Sequence, residues 1–118
     1  MNYSIHKVQD VIVAELKGDV WAELQHFQLK DEVSTILQLG PRRFLFDLTE
    51  TKFMNSLGLG VIVACWASIK QAGGELRICN VGPRVQSTFE VTGLETLFEV
   101  RPDRATALAE FGVAPSDA

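Results

Sequence analysis

The chain has 118 residues, yet only two are cysteine and two are histidine. Cys65 and Cys79 lack CxxC spacing and sit in apolar segments, so they are expected to be buried free thiols rather than a redox or metal pair. His6 falls in a predicted strand and His26 in a predicted helix. Neither is placed to serve as the base of a serine nucleophile, and Ser56 follows Met54-Asn55 rather than the G-x-S-x-G elbow. No G-x-x-x-x-G-K-[ST] phosphate loop occurs. Gly58 and Gly60 fit the first two positions of a dinucleotide fingerprint, but Val63 fills the third. A receiver-type phosphoacceptor at Asp47 would need an acidic pair after the first strand, and none is present. Asp19, Asp47 and Glu50 are isolated carboxylates, a poor basis for a metal site. No cofactor is expected.

Long apolar runs and charge of one sign are also scarce. The longest apolar stretch, Leu57 to Ala67, is broken by Gly58 and Gly60 and is too short to span a bilayer. The opening "MNYSIHKVQD" carries no apolar signal core, so a soluble, unexported, cytoplasmic product without direct membrane insertion is expected. The net charge is -4 and the pI about 5.1. Lys and Arg are scattered instead of forming a stripe, which argues against nucleic acid as a partner.

What is present is a pattern of alternating elements. "YSIHKV" and "VIVAELK", separated only by "QD", predict an antiparallel hairpin. Leu24, Phe27, Val33, Ile36 and Leu37 recur at helical spacing up to the stop at Gly40-Pro41. "RRFLFDL" predicts a central strand ending at Asp47, and "TETKFMN" a loop. Leu57, Val61, Ala64, Cys65, Ser68 and Ala72 share one face of a helix closed by Gly73-Gly74. "ELRICN" predicts a strand, "RVQSTFEVTG" a helix between Pro83 and Gly93, and "LFEV" a last short strand. Asp103 caps a final helix that closes at Gly112. The order is β-β-α-β-α-β-α-β-α, which predicts an α/β domain with a mostly parallel central sheet, an N-terminal hairpin and about four helices. Residues 1–113 form the single domain and 114–118 a frayed tail, with 47% hydrophobic residues to build the core.

In open α/β sheets, functional surfaces form beyond the carboxyl ends of the strands. Here that edge collects Gly18-Asp19, Asp47 through Ser56, and Asn80 through Pro83. Ser56 stands at the mouth of a helix, where either it or Asn55 can cap the first turn. Free N–H groups and the helix dipole also favour a phosphate there, so Ser56 can be cap and phosphoacceptor together. Two glycines in the first turn predict close packing on the sheet, or a mouth left bare for another protein's backbone.

The stretch from "FLFDL" through "NSLGLG" and "AGG" to "TGLETLFEV" resembles the STAS domain of bacterial anti-sigma factor antagonists. The resemblance extends from the opening hairpin and "KGDV" to the last helix. It implies a binding module, not an enzyme, whose Ser56 is phosphorylated by an anti-sigma factor serine kinase. The unphosphorylated form binds that kinase and releases the sigma factor; a phosphatase restores it. The implied docking surface comprises Asp19, Trp21, Asn55, Ser56, Leu57, Gly58 and Arg84. Asn55 stands where the family pattern has Asp, Leu57 where a small hydroxyl residue is usual, and Trp21 near a usual acidic position. These departures leave open a non-switching STAS scaffold subunit of a stress-signalling or lipid-transport complex. The oligomeric state is not legible.

Overall fold

The computed structural model describes residues 2–18 and 23–113. Five strands hydrogen-bond in chain order: β1 (Asn2–Val8), β2 (Val11–Lys17), β3 (Arg43–Glu50), β4 (Glu75–Cys79) and β5 (Glu99–Arg101). β1 pairs antiparallel with β2, Val8 facing Val11, so Gln9 and Asp10 alone make the turn. The remaining neighbours, β2 to β5, are parallel. Between and after them come α1 (Glu23–Leu39), α2 (Ser56–Gln71), α3 (Pro83–Thr92) and α4 (Arg104–Glu110). This is the expected mixed sheet with an antiparallel N-terminal hairpin and four helices.

Side-chain alternation along the strands divides the core in two. Phe44, Phe46 and Leu48 point to the face carrying α1, α2 and α3, where they meet Leu29, Val33, Ile62, Ile69 and Phe89. Leu45 and Cys79 point to the other face and pack with Ala107, Leu108 and Phe111 of the α4 segment. Right-handed crossovers between successive parallel neighbours all return to one side, which puts the first three helices together and leaves the opposite face to α4. Each fully buried Phe or Leu contributes about 1.5–3 kcal/mol of burial free energy before chain entropy is counted. The two cysteines are buried and unbonded, and burial pushes both thiols up to about 12.

Four details depart from the sequence reading. β3 does not stop at Asp47 but continues to Glu50, because Lys17 of β2 still pairs with it after a register shift. The buried residues of α2 are Gly58, Leu59, Val61, Ile62, Cys65 and Ile69; Leu57 is instead 44% exposed. The helix is rotated so that Val61, Ile62 and Ile69 enter the core while Leu57 faces outward. In α1, among the residues whose side chains are described, Leu29, Val33 and Leu37 are buried with Ile36 at their margin, and the expected Leu24 and Phe27 side chains lie outside that set. The "LFEV" strand begins two residues late: Leu94–Thr96 form a 3-10 turn, and Phe98 enters the core, edge-on to Phe89 with centroids 5.4 Å apart.

The turn after α2 sets the approach to β4. A Cβ at Gly74 would lie 2.4 Å from the Arg42 carbonyl oxygen and 2.9 Å from Ile69 Cγ2. That carbonyl also accepts from Glu75 N at 2.8 Å, so it cannot retreat without breaking the start of the β3–β4 ladder. Gly74→Ala is therefore expected to cost about 1–3 kcal/mol, as overpacking does, and to lower Tm by several degrees in thermal denaturation. An unchanged Tm would contradict this packing.

Candidate protein-docking site

The carboxyl ends of β2, β3 and β4 lie on one edge because the three strands are parallel. Both α2 and α3 begin at that edge. Backbone bonds knit it: Gly18 N donates to Glu50 O at 3.0 Å, and Thr51 N to Leu48 O at 3.0 Å. Thr51 is buried, and its hydroxyl donates to Leu16 O at 2.8 Å, fastening the loop before α2 to β2.

Asn55 is the cap of α2. Its backbone is extended (φ -86°, ψ 179°) and its Oδ1 accepts from Gly58 N at 2.9 Å. Ser56 is thus the first helical residue and not the cap, which corrects the expectation that one side chain serves both roles. An amide oxygen caps as well as a carboxylate does, so Asn in place of Asp keeps the helix start intact. The Ser56 side chain is exposed and has no hydrogen-bond partner among the described residues. No acidic residue stands in the first turn of α2. The two glycines divide the explanations offered for them: Gly58 is buried, whereas Gly60 is exposed.

Next to this mouth, Phe53 is 36% exposed and the Arg84 guanidinium lies over its ring, 5.1 Å from the centroid. A mostly apolar depression of about 420 Å³ opens beside them, lined by Leu48, Thr49, Thr51, Lys52, Asn80, Gly82, Pro83 and Arg84. The structure therefore brings Asn55, Ser56, Leu57, Gly58 and Arg84 to the same edge. Asp19 and Trp21, also expected there, lie outside the described residues.

Behind the edge is a polar node that the sequence did not reveal. Asp47 is 5% exposed. Its Oδ1 accepts from Thr49 N at 3.0 Å, from the Thr49 hydroxyl and from Asn80 Nδ2 at 3.1 Å. Its Oδ2 accepts from Arg104 Nε at 3.1 Å and Nη2 at 2.8 Å. Arg104 also reaches Glu15 Oε1 at 3.1 Å. Burial pushes the Asp47 carboxyl up, but the bonds from Thr49, Asn80 and Arg104 outweigh it and hold the group below the usual carboxylate range. A smaller depression of about 240 Å³ lies against this node. Asp47 and Arg104 are far apart in the chain, so no local spacing signals the pair. Asp47 is thus a structural anchor, its oxygens occupied by protein donors. Among the described residues, no group of three or more His, Cys, Asp or Glu side chains could hold a metal ion.

A family model described as "STAS domain" matches residues 2–107. The chain is 31% identical over 114 residues to the candidate anti-sigma factor antagonist BtrV of Bordetella bronchiseptica, covering 97% of each protein. It is 35% identical over 103 residues to the anti-sigma F factor antagonist of Paenibacillus polymyxa, covering 87% of this chain and 88% of that one. The unphosphorylated form of the anti-sigma factor antagonist SpoIIAA superposes with a TM-score of 0.79 at 18% identity, over 96% of this chain and 99% of that one. The phosphorylated form of Bacillus SpoIIAA superposes with a TM-score of 0.74 at 18% identity, over 93% and 99%. At such identities the superpositions speak for the fold.

Two outcomes follow from the site's geometry. Asn55→Ala should lose about 1 kcal/mol of stability in urea unfolding, while Ser56→Ala should change it little. The reverse order would make Ser56 the cap. For Asp47 the sign is that of a depressed carboxylate: its contribution is present above the unfolded value and is lost as pH falls through the folded one. Asp47→Asn should therefore cost about 1–3 kcal/mol at pH 7, and the gap from the parent protein should narrow as pH drops below about 4. Urea midpoints across pH 2.5 to 7 measure it; a gap that widens in acid would contradict the assignment.

Proposed function

The chain belongs to the STAS-domain family of anti-sigma factor antagonists, and on that premise we propose that it is a docking switch controlled at Ser56. The family's members are regulators, not enzymes, and an anti-sigma factor is the partner the family implies. In this reading the partner is a kinase-type anti-sigma factor that the protein binds while Ser56 is unmodified, so that the sigma factor is released. The kinase transfers the γ-phosphoryl group of ATP to Ser56 Oγ; the hydroxyl proton leaves and ADP is the by-product. Docking then fails until a phosphatase removes the phosphate. The site of action is the cytoplasm. Among the described residues, no helix is long and apolar enough to cross a membrane.

The observation that carries this reading is the division of labour at the α2 mouth. Asn55 performs the capping, so the exposed Ser56 hydroxyl has no structural duty to lose. A phosphate there adds about -1.5 to -2 charges at pH 7. The first-turn N–H groups and the helix dipole tolerate that charge, and no first-turn carboxylate repels it. The fold stays and the surface changes. In the partner's interface, the same dianion meets desolvation and like charge, which cost several kcal/mol.

Incubation with a cognate kinase-type anti-sigma factor and ATP should add one phosphate by intact-mass spectrometry, and Ser56→Ala should take up none. Ser56→Ala should still bind the kinase, whereas the phosphorylated parent protein should bind at least tenfold more weakly. Labelling that persists in Ser56→Ala would sink the site assignment. A partner bound equally well before and after phosphorylation would favour the non-switching scaffold.

A further inference from the structure

The arginines of this chain differ in one respect. Arg43, Arg77, Arg101 and Arg104 pair with carboxylates, and Arg42 donates to the carbonyls of Leu37, Gly40 and Pro41. Among the described residues, the Arg84 guanidinium has neither kind of partner and lies instead on the exposed Phe53 ring. A cation–π contact of this kind holds the guanidinium near the ring while leaving N–H donors to meet an anion. The apolar depression of about 420 Å³ opens beside it, and its two ionisable lining residues, Lys52 and Arg84, are both cationic in a chain of net charge -4. The depression has room for an apolar side chain, with Leu48 in its wall and Pro83 at its rim.

We propose that Arg84, fixed on Phe53, and the adjoining depression form a docking subsite for an acidic-apolar segment of a protein partner. A partner carboxylate meets the guanidinium edge in bidentate fashion while a neighbouring apolar side chain fills the depression. Charge complementarity selects the segment: a basic one meets Lys52 and Arg84 and is repelled. The subsite stands at the same edge as Ser56, so it deepens the switch reading by naming what the unphosphorylated surface recognises, and it rests on that reading only for the identity of the partner.

The test uses the full chain and short blocked peptides. Acetyl-Asp-Glu-Leu-Phe-amide is titrated into isotope-labelled protein and followed by NMR, with acetyl-Lys-Lys-Leu-Phe-amide and acetyl-Asp-Glu-Gly-Gly-amide as comparisons. The acidic-apolar peptide should shift the Arg84 side-chain Nε–H and the backbone amides of Thr51, Asn80 and Gly82. Arg84→Gln should weaken it roughly two- to fivefold, the range of a partly exposed ion pair, with Arg84→Lys intermediate because an ammonium lacks the planar fork that meets a carboxylate in bidentate fashion. Phe53→Ala should weaken it as well, with the amide spectrum otherwise unchanged. Equal binding of the basic peptide, shifts confined to another surface, or unaltered affinity in Arg84→Gln would each overturn the proposal. None of these readouts requires a kinase, so a failure of the phosphorylation experiment leaves the peptide result standing, and the converse also holds.

Discussion

Everything at the candidate site depends on the parallel register of β2, β3 and β4. Val13 pairs with Leu45, and Leu45 with Arg77, all three strands running the same way. Parallel neighbours cannot be joined by tight turns, so each connection is a crossover, and each crossover begins at the same edge. The loops that follow β3 and β4 therefore lie side by side, although Ser56 and Arg84 are well separated in the chain. The site is made by topology before any side chain contributes to it.

The Asp47 node makes that edge rigid enough to use. One carboxylate joins the end of β3 through Thr49, the residue after β4 through Asn80, and the start of α4 through Arg104. Asn80 holds a left-handed backbone conformation, φ 58°, that few residues other than Asn tolerate outside glycine. A buried ion pair of this type contributes little net stability over an apolar substitute, but breaking it leaves a charge without a partner. Its value is positional. It joins β3, the residue after β4 and the start of α4 on the α4 side of the sheet, behind the loops that carry Phe53, Ser56 and Arg84.

Much of the architecture was legible because its signals are local. The "QD" turn, the Gly40-Pro41 stop, the Gly93 cap and the Asp103 cap each act within a few residues of where they stand. The error at α2 has a physical cause. Period alone could not tell which of two apolar faces of α2 meets the sheet, since Leu57 and Ile62 both continue a helical repeat. The fold buries Ile62 and leaves Leu57 44% exposed. The Asp47–Arg104 pair and the Phe53–Arg84 stack were illegible for another reason: their partners converge only through sheet order. Ser56 was singled out from a local motif, whereas the Phe53–Arg84 contact beside it required the fold.

The α2 mouth shows why capping and switching are better separated than combined. A serine that caps its own helix has its hydroxyl committed to a backbone N–H, and phosphorylation must first break that bond. Here Asn55 Oδ1 takes the Gly58 N–H, and the Ser56 hydroxyl is exposed and without a partner among the described residues. The chemical modification and the helix start are then independent to first order. Asn also makes the cap without a charge, so the arriving dianion meets a neutral neighbour where an Asp would repel it. In the proposed switch, Asn in place of Asp would leave the helix start intact and lower the electrostatic cost of the phosphorylated state. It would also remove an acidic feature beside the proposed acceptor, so that partner recognition in that proposal would fall to Leu57, Phe53 and Arg84.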